Sequence, residues 1–560
     1  MRIRKKENNL EVTVVAGISA TLLSFNMSEQ NSKGLLGFAI EREDHTENEK
    51  YFLSGFKHFE ETVQNYVPGS LFSTHEHPIQ SFMWEDFTVK SKHEYTYNVI
   101  PVYGKPKHLE YGKGCKINLK IPDENTGEHS VYFNRGVAGS LAYARKFKNR
   151  IPGSIEMTEK ETQEALKWLS RGLEEAMIDF IKKAKNDSYA LRAAVYEFRY
   201  LPVLDEFKDA YEERGVDVQI IFDGRGELRE NSEAITESGI SWNILKARKS
   251  EAEKSFISHN KFIVLLKDNE PIEVWTGSTN LTEKGIFGQC NVGHVVRNKE
   301  IAYKYFQYWN FLKEDPQNAT FDTQTLEIEP DIDYEEIKKG TTVFFSPRKT
   351  KKILKTYSDC MANSKQLICG MFPFSFSKKM KDIIKQNTDF LKYIIIDKKT
   401  VYTTLTTNDV DNVIIYGTNL KDGLYDWLWE IHSGNLFNPN SPGAGTNFIH
   451  NKVILIDPLS EDPIVITGSA NFSDNSISGN DENTLVIRGD KDVADLYFTE
   501  FVRIFNHYYS RYIAIKMSLE FPNQENPLLL KTDYTKWVPS FFKTNGLKFK
   551  RKKMFDDMIV

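Results

Sequence analysis

One internal relation limits the architecture of this chain more than any other property: a unit beginning at His259 returns 191 positions later at His450. His259-Asn260-Lys261 matches His450-Asn451-Lys452, and Thr276-Gly277-Ser278-Thr279-Asn280 matches Thr467-Gly468-Ser469-Ala470-Asn471 at the same offset. Gly288 and Gly479, Val295 and Val486, and Arg297 and Arg488 keep the register as well. About one His-x-Lys triplet is expected by chance, so the weight lies in the unbroken register rather than in the triplets. Each copy reads as His-x-Lys, apolar strand, turn, apolar strand, Gly-Ser-x-Asn. A duplicated hairpin of this kind can set its two copies face to face across a pseudo-twofold axis.

The surroundings of the repeat alternate in strand and helix patterns. Ala190 to Phe198, Val203 to Arg214 and Val216 to Phe222 read as strand, helix and strand; Gln366 to Phe374, Ser377 to Lys385 and Leu391 to Ile396 repeat that rhythm, which is the α/β signature. Leu166, Leu169, Leu173, Met177 and Phe180 fall at helical spacing and predict one amphipathic helix between Thr158 and Lys185. Before residue 130 the chain changes character. Val12 to Phe25, Leu35 to Glu41, Ile79 to Val89 and Tyr95 to Tyr103 are short β-rich runs, and the alternation of the last suits a half-buried strand, so a small β-sandwich is expected. The division that follows is 1–130, β-rich; 131–325, first α/β half; 326–520, second half; and 521–560, a basic tail holding Lys548 to Lys553. Phe372 to Phe374 and Phe541-Phe542 are expected to be exposed aromatic runs, and His75, His77 and His294 to lie outside any catalytic set.

In an extended strand residues i and i+2 share a face, so His and Lys of each triplet project together, as do Ser and Asn. Two copies bring two of each. One imidazole can attack phosphorus while the other protonates the leaving oxygen, since an unperturbed pKa of about 6.5 suits both tasks. Lys ammonium and Asn amide groups would neutralise charge on the non-bridging oxygens, a set suited to a phosphodiester without a metal. Ile263, Val264, Leu266, Ile454 and Leu455 read as strand core, and Gly277 and Gly468 as turn formers.

The two units resemble the paired HxK(x)4D and GSxN signatures of the phospholipase D superfamily, over roughly residues 135 to 515. The resemblance implies a duplicated α/β/α sandwich, a pseudo-dimer in one chain, preceded by the all-β N-terminal domain. It implies a metal-independent phosphodiesterase acting through a covalent phosphohistidine, with His259 as nucleophile and His450 as general acid. Lys261, Lys452, Asn280 and Asn471 would complete the catalytic set, with Ser278, Ser469, Asp457 and Asn291 binding phosphate or supporting it. No cofactor or metal is implied. The second motif is complete at Asp457, whereas Leu266 stands in the acidic place of the first and Asp268 comes two positions late. Downstream, Asn480-Asp481-Glu482-Asn483 corresponds to Gln289-Cys290-Asn291-Val292, so Glu482 is the only charged orienting partner. If pairing crosses the pseudo-dyad, as in the tyrosyl-DNA phosphodiesterases, Glu482 serves His259, and Asn291 or Gln289 serves His450.

Composition bears on the substrate. Lys and Arg total 73 against 78 Asp and Glu, a net charge of −5, so an anionic partner must be held by a local patch rather than by a whole-molecule field. The four cysteines form no CxxC pair, and no stretch reaches the 18 or so apolar residues of a membrane span, so a cytoplasmic protein is expected. The substrate reading is nuclease-like, on DNA or RNA. A phospholipase D acting on membrane phospholipids is the alternative, and a catalytically weak phosphate-backbone-binding protein the second. A regulatory protein partner is left open, and no oligomer is required because both half-sites lie in one chain.

Overall fold

The computed structural model describes residues 1–67, 70–125, 127–136, 141–148, 150, 152–250, 256–329, 336–397, 411–416, 449–520 and 528–558. Its N-terminal part is two antiparallel sheets and a short antiparallel ribbon of Ser54–Gly55 with Phe72–Ser73. One orders Arg2–Glu7, Leu10–Ala16, Thr21–Asn26 and Met83–Asp86; the other orders His108–Tyr111, Glu94–Lys105, Gly37–Asp44 and Glu49–Phe52, with Cys115–Lys120 also on Glu94–Lys105. Val12, Val14, Leu23 and Phe25 from the first sheet meet Phe38, Ile40, Tyr95, Tyr97 and Val99 from the second. The apolar run from Val12 to Phe25 is a hairpin rather than one strand, because Gly17 to Ala20 turn the chain.

Two seven-stranded sheets carry the repeat. The first orders His129–Phe133, Val292–Val296, Glu270–Gly277, Lys261–Lys267, Tyr189–Val195, Asp217–Asp223 and Leu245–Arg248. The second orders Gly340–Ser346, Glu482–Arg488, Ile464–Gly468, Val453–Ile456, Leu367–Phe372, Leu391–Ile396 and Asn412–Tyr416. In both, the first four pairings are antiparallel and the last two parallel. Strands covered on both faces are near-continuously apolar, as Lys261–Lys267 and Leu391–Ile396 are. Against one face of the first sheet lie Leu173, Met177, Phe180, Val203 and Phe207; against the other lie Ile301, Tyr305, Tyr308 and Trp309 of helix Lys299–Lys313. That helix also touches Val343, Phe345 and Leu485 of the second sheet, so the halves share a core. The fold is the duplicated α/β/α sandwich behind an all-β domain.

Three expectations change. The helix predicted from Thr158 to Lys185 is two, Glu159–Ser170 and Leu173–Lys182, because Arg171 and Gly172 take left-handed backbone (φ 50° and 93°) between them. The basic run Lys548 to Lys553 is no free tail: it forms helix Leu547–Asp556, with Met554 and Phe555 buried against the long helix Lys491–Glu520 and its surroundings. Phe541 and Trp537 complete the β-domain core, so Phe541-Phe542 is not an exposed pair; Phe372 is buried too, and only Phe374 of its run is 42% exposed.

Candidate active site

The two hairpins meet through backbone contacts that obey the sequence offset. Ser258 bridges Asp481, and 191 positions on, Ile449 bridges Cys290. The His259 amide donates to Asp481 O at 3.0 Å and the His450 amide to Cys290 O at 3.2 Å. Within each motif the lysine turns back on its histidine: Lys261 Nζ donates to His259 O (2.6 Å) and Lys452 Nζ to His450 O (2.8 Å). All four side chains are buried or nearly so, with His259 7% and His450 4% exposed.

The histidines draw partners from the opposite half, and the partners differ. His259 Nδ1 lies 2.8 Å from Glu482 Oε2, and His450 Nδ1 lies 2.9 Å from Asn291 Oδ1. Gln289, the other partner considered for His450, instead offers its backbone carbonyl to Asn134. Glu482 is braced on its second oxygen by Ser476 Oγ (2.8 Å) and Asn480 Nδ2 (3.2 Å). Burial works to raise this carboxyl, but His259 and Lys261 outweigh it and hold it below its usual range. Asn291 is oriented by its own amide, which donates to Gly285 O at 2.7 Å and leaves Oδ1 toward His450.

The imidazoles do not keep the ordinary pKa near 6.5. Burial lowers His259 to about 4 despite Glu482, and Lys261 and Lys452 push the same way. Burial, then Lys452, Lys261 and His259, lower His450 well below its usual value. Lys261 is lowered to about 8 by burial, against the pull of Glu482 and Glu197, and Lys452 is lowered well below its usual value by burial and Lys261. Both histidines feel both lysines, and Lys452 feels Lys261, so the motifs converge on one cleft that concentrates positive charge and favours an anion.

The GSxN residues split in role. Gly277 and Gly468 (φ 138° and 148°) let the next strand approach: an added Cβ would lie 2.2 Å from Val292 O and 2.4 Å from Asn483 O. Ser278 and Ser469 are fully buried braces. Each donates its backbone amide to one of those carbonyls, at 3.0 Å, and accepts the amide of the same residue, at 3.1 and 3.0 Å. The Ser278 hydroxyl also faces Asn291 Oδ1 (2.8 Å) and Asn451 Oδ1 (3.0 Å). The Oδ1 atoms of Asn280 and Asn471 have no hydrogen-bond partner among the described residues. Asp457 is half-buried and ties down the turn before Leu367–Phe372, accepting Ser364 Oγ and the amides of Lys365, Gln366 and Leu367 at 2.7 to 3.0 Å. In the first half the strand runs on to Lys267, so Leu266 is core and Asp268 (φ 50°) takes the turn in place of Asp457 (φ 46°). Their amides donate alike, to Ser188 O at 2.7 Å and to Leu367 O at 2.8 Å.

Sequence reasoning missed several neighbours. Asn260 accepts Asn483 Nδ2 at 2.9 Å and donates to Tyr308 at 3.1 Å, and Asn451 faces Ser278, so the middle residue of each triplet ties the halves together. The same Asn in both triplets was the readable signal. Glu197 accepts the Asn280 amide, Tyr196 packs edge-on to His259 (ring centroids 5.1 Å apart), and Phe374 packs edge-on to His450 (6.4 Å). Arg248, fully buried, binds Asp481 at 3.0 Å beside Glu482. These residues lie outside any repeated motif.

Fold and site together place two histidines, two lysines and their crossed partners in one cleft shared by the two repeats. Residues 177–312 and 429–505 match the family model described as "Cardiolipin synthase, PLD-like domain". No curated protein matches by sequence. Among solved structures it is similar to polyphosphate kinase from Porphyromonas gingivalis at 10% identity, TM-score 0.36, over 55% of this chain and 42% of that one. The phosphatidylserine synthase of Haemophilus influenzae Rd KW20 aligns at 12% identity, TM-score 0.39, over 69% of this chain and 91% of that one. The phospholipase D family member Nuc of Salmonella typhimurium aligns at 26% identity, TM-score 0.21, over 25% and 87%. Among the described residues no helix is long and apolar enough to cross a membrane.

Proposed function

We propose that this chain hydrolyses a phosphodiester through a phosphohistidine on His259. The observation that carries this reading is the unequal crossed pairing, a carboxylate on His259 and a neutral amide on His450. Glu482 accepts the Nδ1 proton of His259, which leaves the Nε2 lone pair free, and stabilises the cation formed when Nε2 bonds to phosphorus. His450 gives a proton to the leaving oxygen, then takes one from the water that opens the intermediate and releases His259. Lys261, Lys452, Asn280 and Asn471 surround the non-bridging oxygens. The positive charge of the cleft comes from the two lysines, so no step calls for a metal. A bound phosphodiester anion offsets the lysine field and raises His450 toward the protonated state it needs. Both half-sites lie in one chain, so no second copy is needed, and four cysteines without disulfides agree with a cytoplasmic setting.

The substrate we favour is a nucleic acid. Phe374, 42% exposed and beside the histidine assigned as acid, offers a ring on which a base of the leaving strand can stack. Phospholipid is the second reading, favoured by the description of the matching family model. Cleavage of single-stranded and plasmid DNA in excess EDTA, by wild type and His259→Ala, beside phospholipid vesicles, separates them. EDTA-resistant DNA cleavage lost in the variant is the expected result. Vesicle hydrolysis alone would replace nuclease by phospholipase, and silence on both would favour a phosphate-binding protein.

A further inference from the structure

Away from the catalytic cleft, a cavity of about 510 Å³ opens where the β domain, the long helix Lys491–Glu520 and the C-terminal segment meet. That volume is in the range of sites that enclose a small organic ligand. Five aromatic rings line it: Phe56, His77 and Trp84 of the β domain, Tyr509 of the long helix, and Phe541. Three cations line it too, Lys57, Lys548 and Arg551, against a single carboxylate, Glu85, which lies beside Arg551. Arg551 sits over the rings of Tyr393 and Tyr509 at 5.9 and 5.8 Å, and its Nε is buried without a hydrogen-bond partner. Lys57 makes no ion pair among the described residues, and Lys548 lies over the Phe541 ring at 5.1 Å. Both lysines reach solvent at the mouth, yet the surrounding apolar walls and neighbouring cations depress both ammonium groups.

Lys57 and Lys548 have no carboxylate partner among the described residues, so an anion seated against the apolar walls at this mouth gains their charge, whereas Arg551 already shares Glu85 and Tyr393. We propose that this cavity binds a small aromatic anion, a flat apolar body carrying a phosphate or carboxylate, with the body between the rings and the charge at Lys57, Lys548 and Arg551. The ligand touches all three parts of the molecule, so binding it clamps the β domain and C-terminal helix onto the second half and raises the melting temperature.

Calorimetric titration of the full chain with 1-naphthyl phosphate tests this, beside 1-naphthol, inorganic phosphate and dodecyl phosphate. The expected result is saturable binding of naphthyl phosphate, at least tenfold tighter than the other three. The pair Lys57→Gln and Lys548→Gln, both at the mouth and away from the cleft, should weaken it tenfold or more while leaving phosphodiesterase activity in place. Lys261→Gln with Lys452→Gln should leave binding unchanged. Loss of binding in that cleft variant instead, no binding at millimolar ligand, or dodecyl phosphate binding as tightly would overturn the proposal. The readout is binding and not turnover, so its failure is separate from any failure of the phosphodiesterase reading.

Discussion

At the scale of the residue, the site depends on which groups keep their protons. Lys261, lowered to about 8, is charged at neutral pH and loses its proton as the pH rises past that value. Charge stabilisation of the phosphoryl oxygens then falls, so kcat/KM should show an alkaline limb near pH 8 that a free lysine, titrating near 10.4, would not produce. A flat profile to pH 9.5 would argue that Lys261 does not carry charge to the transition state. Glu482 is the second residue-scale test. Glu482→Gln keeps size and removes charge beside a buried imidazole, and should lower kcat by about 10²–10⁴ with little change in the melting temperature. Asn291→Ala, which removes a neutral partner, should cost less. Equal losses in the two variants would contradict the assignment of His259 as nucleophile.

At the scale of the element, the hairpin was readable because duplication repeats polar letters at positions where packing alone gives no reason for them. The cross-pairing of His259 was readable for the same reason, since Glu482 is the carboxylate that stands at the offset where the first repeat has the amide Asn291. What escaped is what a linear pattern does not encode. The spacing of Leu166 to Phe180 continues through Gly172 although the backbone reverses hand there, and the charges of Lys548 to Lys553 say nothing of the faces that bury Met554 and Phe555. Leu266 stands in the place of an acid because its strand runs two residues further than the counterpart that ends at Ile456. The glycines serve close approach of a neighbouring strand rather than a turn alone. Gly277→Ala or Gly468→Ala forces a Cβ onto a carbonyl oxygen with φ in a range only glycine favours, and should cost about 2–4 kcal/mol. Asp457→Ala should cost about 1–3 kcal/mol by stranding the amides of Lys365, Gln366 and Leu367. Denaturant midpoints for these variants give the comparison, and a neutral result for either glycine would show that the strands can part without loss.

At the scale of the whole molecule, the halves and the β domain are joined by buried polar contacts that set how the protein responds to acid. Asp495 of the long helix holds the N-terminal ammonium and Arg2 of the β domain, both at 2.9 Å. Between the halves runs a buried chain: His129 Nδ1 lies 2.9 Å from His294 Nε2, and His294 Nδ1 lies 3.0 Å from Tyr497 of the helix that follows the second sheet. Thr341, on the first strand of the second sheet, reaches His129 Nε2 at 3.1 Å. Burial, with His129 and Arg297 adding to it, pushes His294 well below its usual value; burial also lowers His129, against Glu128 and Asp490. The unfolded chain therefore takes up protons below about pH 6.5 while the native chain does not, so stability is full above that pH and lost below it. Each such histidine contributes a slope of up to about 1.4 kcal/mol per pH unit, and His259, lowered to about 4, adds to it down to that pH. The melting temperature should fall steeply between pH 6.5 and 5. In His294→Gln, which keeps polar atoms toward Tyr497 and removes the proton site, the fall should be shallower although the starting stability is lower. Parallel curves for wild type and variant would mean that acid enters the molecule elsewhere, and that the joint between the halves is not where protonation is resisted.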